Sequence, residues 1–208
     1  MQPEGTISWI HEEDVLLKGF RLIAGVDEVG RGPLAGPVIA AAAILPMGYY
    51  HPLLKDSKKL TPKRRMDVAA ELCSDTRIIW AIGEATVEEI DTHNILQATF
   101  IAMRKAVQAL IEKPDFVLVD GNQNPKLGLP LKTIVGGDGI SPSIAAASII
   151  AKQHRDNLMD RLAEEYPGYG MEKHKGYGTA FHLEALQRLG PTPIHRMSFE
   201  PVRLSRRS

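Results

Sequence analysis

Two adjacent carboxylates, Asp27 and Glu28, end an apolar run that begins at Leu22, and a glycine-rich loop follows them at once. Desolvating each ionised carboxylate costs several kcal/mol, so a strand end that carries two of them needs a cation or a shared proton. The loop, residues 30–37, supplies backbone N–H groups without side-chain bulk and one arginine, which suits close approach to a phosphate. Carboxylates for a metal beside bare backbone for a phosphate favour phosphodiester chemistry.

Two further acids lie at the end of a predicted strand or in a loop between predicted elements. Asp120 ends the apolar run 115–120 and is followed by Gly121-Asn122, and Asp138 lies between two glycines just before a predicted helix. Taken singly, each acid is more readily a turn residue or a helix cap, Asp138 above all. Taken together with the pair at 27–28, they favour one shared site.

The type of donor predicts the type of metal. Carboxylate oxygens without cysteine or paired histidine select Mg²⁺ or Mn²⁺ over Zn²⁺. Two divalent ions would balance four carboxylates and would clamp the attacking and leaving oxygens of an in-line displacement. The loop itself is not a dinucleotide-binding fingerprint, because its spacing is Gly-x-Gly-x-x-x-Gly and two prolines oppose the opening of a helix. A glycine-rich hairpin connection is the plain alternative for this loop.

The surrounding pattern predicts an α/β fold with a mixed sheet and helices packed on it. We expect strands at 22–27, 38–45, 77–84, 115–120 and 131–135, and helices at 62–74, 94–112 and 141–165, with a last short helix ending near 189. If the first and fourth strands run side by side in the same direction, Asp27 and Asp120 end them together, at the carboxyl edge where open α/β sheets bind ligands.

Composition sets broader limits. The 208 residues suffice for one substantial core, and Cys73, the only cysteine, excludes an internal disulfide and a cysteine-based zinc site. The first residues do not follow the pattern of a secretory signal, and no apolar stretch is long enough to span a bilayer. Lysine plus arginine equals aspartate plus glutamate, 25 each, so charge alone indicates no special affinity for polyanions. Basic clusters at 55–65 and 203–207 are the exceptions.

At this point the sequence resembles a known family, the type 2 ribonucleases H, specifically bacterial ribonuclease HII. The resemblance covers nearly the whole chain after residue 20 and is specific because many motifs occur in order. They are DEVGRGPLAGPV at 27–38, DSKKL at 56–60, NILQAT at 94–99, DGN at 120–122, GD at 137–138, IAAASIIAK at 144–152, HKGYGT at 174–179 and HRMSF at 195–199.

The resemblance implies an RNase H-like mixed five-stranded sheet flanked by helices, with a C-terminal helical segment. We expect an RNase H-like catalytic domain at 1–190 and a C-terminal basic segment or tail at 191–208. The resemblance also implies an endonuclease that hydrolyses RNA in RNA–DNA hybrids and incises 5′ of single ribonucleotides embedded in duplex DNA. Cleavage would leave 3′-hydroxyl and 5′-phosphate ends. We further expect a cytoplasmic monomer that needs two divalent ions, Mn²⁺ or Mg²⁺, and has no membrane partner.

The same resemblance assigns site residues by motif. Asp27, Glu28, Asp120 and Asp138 would be the metal-binding acids. Substrate contacts would come from three places: a 2′-hydroxyl-reading loop, a tyrosine beside the neighbouring nucleotide, and phosphate-binding polar residues, that is, Gly30, Arg31, Gly32, Tyr177, Ser57, Lys58 and Asn94. One departure weakens the case for Asp138: Gly136 stands where the family often has a lysine. The histidines at 154, 174, 182 and 195 are too scattered to form a predicted ligand set.

Two alternatives stay open. The chain could be another two-metal carboxylate nuclease, such as a DNA-specific one, or a nucleic-acid-binding module that has lost activity. The presence of all four acids counts against the second alternative.

Overall fold

The computed structural model describes residues 7–54 and 60–206, and it contains the predicted mixed sheet of five strands. The strand order is β3-β2-β1-β4-β5, with β1 antiparallel to β2, β2 antiparallel to β3, and β1, β4 and β5 parallel. The strands are β1 (Ile23–Val29), β2 (Val38–Ile44), β3 (Ile79–Ala85), β4 (Phe116–Asp120) and β5 (Leu131–Ile134). Their bounds all lie within two residues of the predicted ends, so the strand predictions are confirmed.

Helices cover both faces of this sheet. Those in the described residues are α1 (Ile10–Leu17), α2 (Pro62–Ser74), α3 (Val87–Ala109), α4 (Pro142–Glu165), α5 (Met171–His174), α6 (Ala180–Leu189) and α7 (Glu200–Ser205). Thr61 caps α2 through its side chain with proline in the first turn, as the sequence predicts. The predictions lack α1, which has only a weak apolar face. No helix in the described part of the chain is long and apolar enough to cross a membrane.

The helix predicted at 94–112 begins earlier than expected and is interrupted. A capping box of Thr86 and Glu89 starts α3. Asn94 then takes a non-helical conformation, with φ 68° and ψ 164°. Its Oδ1 accepts hydrogen bonds from the N–H groups of Leu96 and Gln97, at 3.0 and 3.1 Å, and so restarts the helix. Residue 94, predicted as the start of the helix, is therefore the start of its second half.

The sheet is packed tightly on both faces. Alanines, valines and isoleucines of β1, β2 and β4 pack against α3 on one side, and those of β2 pack against α2 and α4 on the other. At Gly25 in β1 the backbone of α4 comes so close that an added Cβ would lie 2.1 Å from the Ser143 carbonyl carbon and 2.3 Å from the Ile144 nitrogen. The strand that carries the paired acids is thus held directly against the start of α4.

The residues after α5 form a smaller apolar cluster of their own against the glycine loop. Leu34 and Ala35 of the loop, Met159 of α4 and Val202 of α7 are all buried in it. The basic segment predicted at 191–208 therefore contains a helix, α7, which packs against the rest of the fold through buried Val202.

We predict that Gly25→Ala lowers stability by about 3 kcal/mol, because the new methyl group meets two backbone atoms that cannot rotate away. For a domain of this size the expected fall in Tm is roughly 6–12 °C, measured by thermal unfolding. Gly139→Ala is the matched control, since no atom of the described part of the chain lies within 4 Å of a Cβ there. Equal Tm values for the two variants would contradict the prediction.

Candidate active site

β1 and β4 end side by side, at the place where two of the predicted acids lie. Val26 pairs with Val119 in a parallel register, so the next residues, Asp27 and Asp120, face the same side of the sheet. This pairing confirms the strand arrangement on which their predicted adjacency depended. Asp27 is only 7% exposed, and its pKa is raised well above the ordinary range by burial, then by the charges of Glu28 and Asp120. Negative charge is therefore concentrated at one strand end.

Glu28 connects these acids to the glycine loop. Its side chain leaves β1 on the opposite face from that of Asp27, and its Oε1 lies 3.2 Å from Nη1 of Arg31. Burial raises the pKa of Glu28, Arg31 opposes that rise, and the charge of Asp120 adds to it. Glu28, Arg31, Asp120 and Asn122 are among the residues that line a cavity of about 120 Å³. Glu28, Asp120 and the loop arginine thus share one recess.

Asp138 lies next to this group through a backbone contact. The N–H of Gly137 donates to Oδ1 of Asp120 at 2.6 Å, which places the short 3₁₀ turn Gly137–Gly139 beside the end of β4. Asp138 is 5% exposed in that turn. It is not the N-cap of α4, because that role belongs to Ser141, whose side chain accepts from the N–H of Ile144. The helix-cap alternative for Asp138 is therefore wrong.

The donor chemistry of the acids fits a hard divalent cation. Asp27 and Glu28 have pKa values raised by burial and by neighbouring negative charge, a repulsion that a cation would relieve. Across residues 7–54 and 60–206, however, no three His, Cys, Asp or Glu side chains converge closely enough to hold a metal ion as they lie. Binding an ion among the acids would therefore require some of these side chains to change rotamer.

The glycine loop is held from inside by two arginines that the sequence analysis missed. Arg155 and Arg196 are both 0% exposed, and both donate hydrogen bonds to loop carbonyls. Burial lowers the pKa of Arg155, and burial together with the charge of Arg155 lowers the pKa of Arg196 to about 9, so Arg196 stays charged at neutral pH. A buried arginine has no local sequence signal. Only the position of Arg196 in the HRMSF motif could have pointed to it.

Tyr177 lies against the outer side of the loop. A Cβ built on Gly32 would be 3.3 Å from Cε1 of Tyr177, whose ring is half exposed. The N–H of Leu34 donates to the carbonyl of Gly176 at 2.8 Å, which ties the two segments together. The structure therefore brings together two of the predicted substrate contacts, Gly32 and Tyr177, from distant parts of the chain.

Two of the four scattered histidines are in the interior. His182 and His195 are 0% and 1% exposed, and their Nε2 atoms lie 3.1 Å apart. His174 stacks on His182 with ring centroids 4.7 Å apart. Burial, and then the charge of His182, lowers the pKa of His195 to about 4.

The three predicted phosphate contacts have different outcomes. Ser57 and Lys58 lie outside the described residues. Asn94 is exposed, but its side-chain oxygen caps the second half of α3. Leu96 and Phe100, just after that cap, line the cavity shared by Glu28 and Arg31. The break at Asn94 therefore brings the start of a helix to the edge of the candidate site.

Comparison with known proteins agrees with this geometry. A family model described as Ribonuclease HII matches residues 24–202. Ribonuclease HII of Chlamydia caviae is 55% identical over 194 residues, which cover 93% of this chain and 91% of the relative. Ribonuclease HII of Sphingopyxis alaskensis is 57% identical over 181 residues, covering 87% and 90%.

A solved structure has a fold similar to that of this chain. The crystal structure of ribonuclease H2 from Pyrococcus horikoshii OT3 has a TM-score of 0.76 at 28% identity and covers 90% of this chain and 98% of its own. The match in sequence and the match in fold thus extend over the strands that carry the acids, the glycine loop and the Tyr177 segment. This chain belongs to the ribonuclease HII family and is a ribonuclease H, a hydrolase.

Proposed function

We propose that this ribonuclease H cleaves RNA in RNA–DNA hybrids and also incises duplex DNA on the 5′ side of a single embedded ribonucleotide. The products would carry 3′-hydroxyl and 5′-phosphate ends. The observation that carries the proposal is one contact: Glu28 of the acidic strand end is paired with Arg31 of the glycine loop at 3.2 Å. A carboxylate suited to phosphodiester cleavage is therefore in direct contact with an arginine suited to phosphate binding.

The four acids would do the cutting. Asp27, Glu28, Asp120 and Asp138 would hold divalent ions, Mg²⁺ or Mn²⁺, which when bound would activate the attacking water and stabilise the leaving oxygen. The protein's own contribution is to hold the backbone segments that carry these carboxylates side by side. Parallel pairing of β1 with β4 does this for Asp27 and Asp120, and the hydrogen bond from Gly137 holds Asp120 against the turn that carries Asp138.

The glycine loop and Tyr177 would choose the place of the cut. Only the 2′-hydroxyl distinguishes a ribose from a deoxyribose locally, so a reader of one ribonucleotide needs rigid polar groups at short range. The backbone of Gly30, Arg31 and Gly32 supplies such groups. Tyr177, half exposed and in reach of Gly32, supplies an aromatic face for the neighbouring nucleotide. Phosphate contacts from Ser57, Lys58 and Asn94 would position the duplex without reading its sequence.

The decisive experiment compares three duplexes under a titration of Mg²⁺ and of Mn²⁺. The substrates are an RNA–DNA hybrid, a DNA duplex with one ribonucleotide, and the same duplex made entirely of DNA. We expect metal-dependent cutting of the first two, with the single-ribonucleotide duplex cut on the 5′ side. Equal cutting of the all-DNA duplex would indicate a different two-metal nuclease, and binding without any cutting would indicate an inactive binding module.

We predict that Asp27→Asn abolishes cleavage and leaves duplex binding largely intact. Asparagine keeps the size of the side chain and an oxygen for the Glu28 N–H, which now lies 2.8 Å from Asp27 Oδ1, but removes the charge that a metal needs. Because Asp27 is destabilised by burial and by like charges, the variant should unfold in EDTA at a Tm no lower than that of the wild type.

Cleavage, duplex affinity and Tm are measured together for this variant. Asp67→Asn, at an exposed carboxylate on α2, is the matched control and should retain full activity. Substantial cutting by Asp27→Asn would remove Asp27 from the mechanism, and a large fall in Tm would show that lost activity reflects lost folding.

We predict that Tyr177→Ala lowers kcat/KM on the single-ribonucleotide duplex by roughly 5- to 150-fold, because an aromatic–base stack contributes about 1–3 kcal/mol. Tyr177→Phe should retain most activity, since it keeps the ring. Tyr50→Ala is the matched control at a tyrosine that is 80% exposed. Equal steady-state kinetics for the alanine variants at 177 and 50 would contradict a substrate-contacting role.

A further inference from the structure

Residues 194–196 run alongside the glycine loop as a short extended segment. The N–H of Arg196 donates to the carbonyl of Leu34 at 2.9 Å, and the N–H of Gly36 donates to the carbonyl of Ile194 at 2.8 Å. Ala35 and His195 form an isolated antiparallel bridge between these bonds. The backbone of the loop is thus paired to a segment near the C-terminus.

The guanidinium of Arg196 fills the inside of the loop. A guanidinium has five N–H groups in a planar fork, and here each donates to a different carbonyl oxygen of residues 30–37. Nε donates to Gly36 at 2.9 Å, Nη1 to Arg31 at 2.9 Å and to Pro33 at 2.7 Å, and Nη2 to Gly30 and, at 3.3 Å, to Pro37. The curvature of the loop therefore matches one planar cation.

This arrangement also fixes which way the loop's donors point. All peptide bonds in the described residues are trans, so a carbonyl and the N–H of the next residue point in opposite directions. The carbonyls of Gly30 and Arg31 point inward to Arg196. The N–H groups of Arg31 and Gly32 must then point away from it. Arg196 thereby turns backbone donors of the loop outward.

His195, the residue before it, acts on the opposite segment through His182. The N–H of Thr192 donates to Nδ1 of His195 at 3.0 Å, so the proton of that ring is on Nε2. Nε2 of His195 then donates to Nε2 of His182 at 3.1 Å, which leaves the proton of His182 on Nδ1. That nitrogen donates to the carbonyl of Tyr177 at 2.9 Å. A chain of two neutral imidazoles therefore holds the Tyr177 turn.

From these contacts we propose that His195 and Arg196 are positioning residues for substrate recognition: Arg196 fixes the donors of the glycine loop, and His195, through His182, fixes Tyr177. This inference rests on the proposed function, because it treats the loop and Tyr177 as the ribose-reading elements. The dipeptide His195-Arg196 thus positions both sides of the cleft between Gly32 and Tyr177. Neither side chain needs to touch the nucleic acid.

The first test is Arg196→Lys, with Arg203→Lys at an exposed arginine on α7 as the matched control. Lysine keeps the charge but offers three donors from one point instead of a planar fork of five. We expect KM for the single-ribonucleotide duplex to rise roughly tenfold, since at least two charge-assisted hydrogen bonds are lost. The backbone amide NMR signals of Arg31 and Gly32 should shift in the free protein, with no metal or substrate present.

A merely structural role predicts a different result. If Arg196 were merely structural, Arg196→Lys would lower Tm and the fraction of active enzyme, and hence kcat. KM and the amide signals of the loop in the folded molecules would stay as in the wild type. That outcome for Arg196→Lys would overturn the proposal. If the wild type itself does not cut the single-ribonucleotide duplex, the proposed function fails, and the amide shifts still decide whether Arg196 positions the loop.

The second test does not depend on the folding of Arg196→Lys. His195→Gln keeps a donor near the position of Nε2, whereas His195→Leu removes it. We expect the glutamine variant to retain KM within roughly threefold of the wild type. The leucine variant should raise KM roughly tenfold and shift the amide signals of Tyr177 and Gly178. If the leucine variant had the same KM as the wild type and unshifted amide signals, the part of the proposal that concerns His195 would be overturned.

Discussion

Parallel pairing of β1 with β4 is the constraint on which the rest of the site depends. It sets Asp27 beside Asp120 at the end of two buried strands, where burial and like charge both raise the pKa of Asp27. An arrangement of this kind lowers stability, and it persists only because the strands are fixed from elsewhere. The fixing is visible at Gly25, where the backbone of α4 lies against β1 without space for a methyl group. The close packing at Gly25 thus fixes β1, the strand that carries Asp27, against α4.

The buried positive charges have a separate task. Arg155 and Arg196 are fully buried, yet the hydrogen bonds described for them go to backbone carbonyls of the glycine loop and of Lys175 and not to the acids. Carbonyl oxygens at this density make a strong partner for a guanidinium, because its planar fork can meet several at once. The fold therefore uses these two buried cations to shape the glycine loop.

The sequence allowed prediction of features that depend on neighbouring residues. Apolar runs that end in acids predicted the strands and the adjacency of Asp27 and Asp120, and Thr61-Pro62 predicted the start of α2. Features that depend on partners far along the chain were not predictable in this way. The five carbonyls that surround Arg196 come from residues 30–37, and the buried His182–His195 pair exists only once α6 and the C-terminal segment have packed. The interpretation of Asp138 as a helix cap stayed open until Ser141 proved to be the cap of α4.

The glycines of the loop do not all serve the same purpose. Gly30 and Gly36 have positive φ values of 95° and 80°, and a Cβ on them would strike Arg155 or Met159 at 2.3 and 2.6 Å. Both are therefore required by the interior of the protein, whatever the loop binds. Gly32 has neither constraint: among the described residues, a Cβ on it would come within 4 Å of the Tyr177 ring alone, on the half-exposed side. A motif that looks uniform in the sequence thus separates into two glycines that let the loop close around buried side chains and one that keeps the cleft beside Tyr177 open. Since the carbonyl of Arg31 is turned inward to Arg196, the N–H of Gly32 points away from the interior, and under the proposed function it would be a loop donor to the ribose.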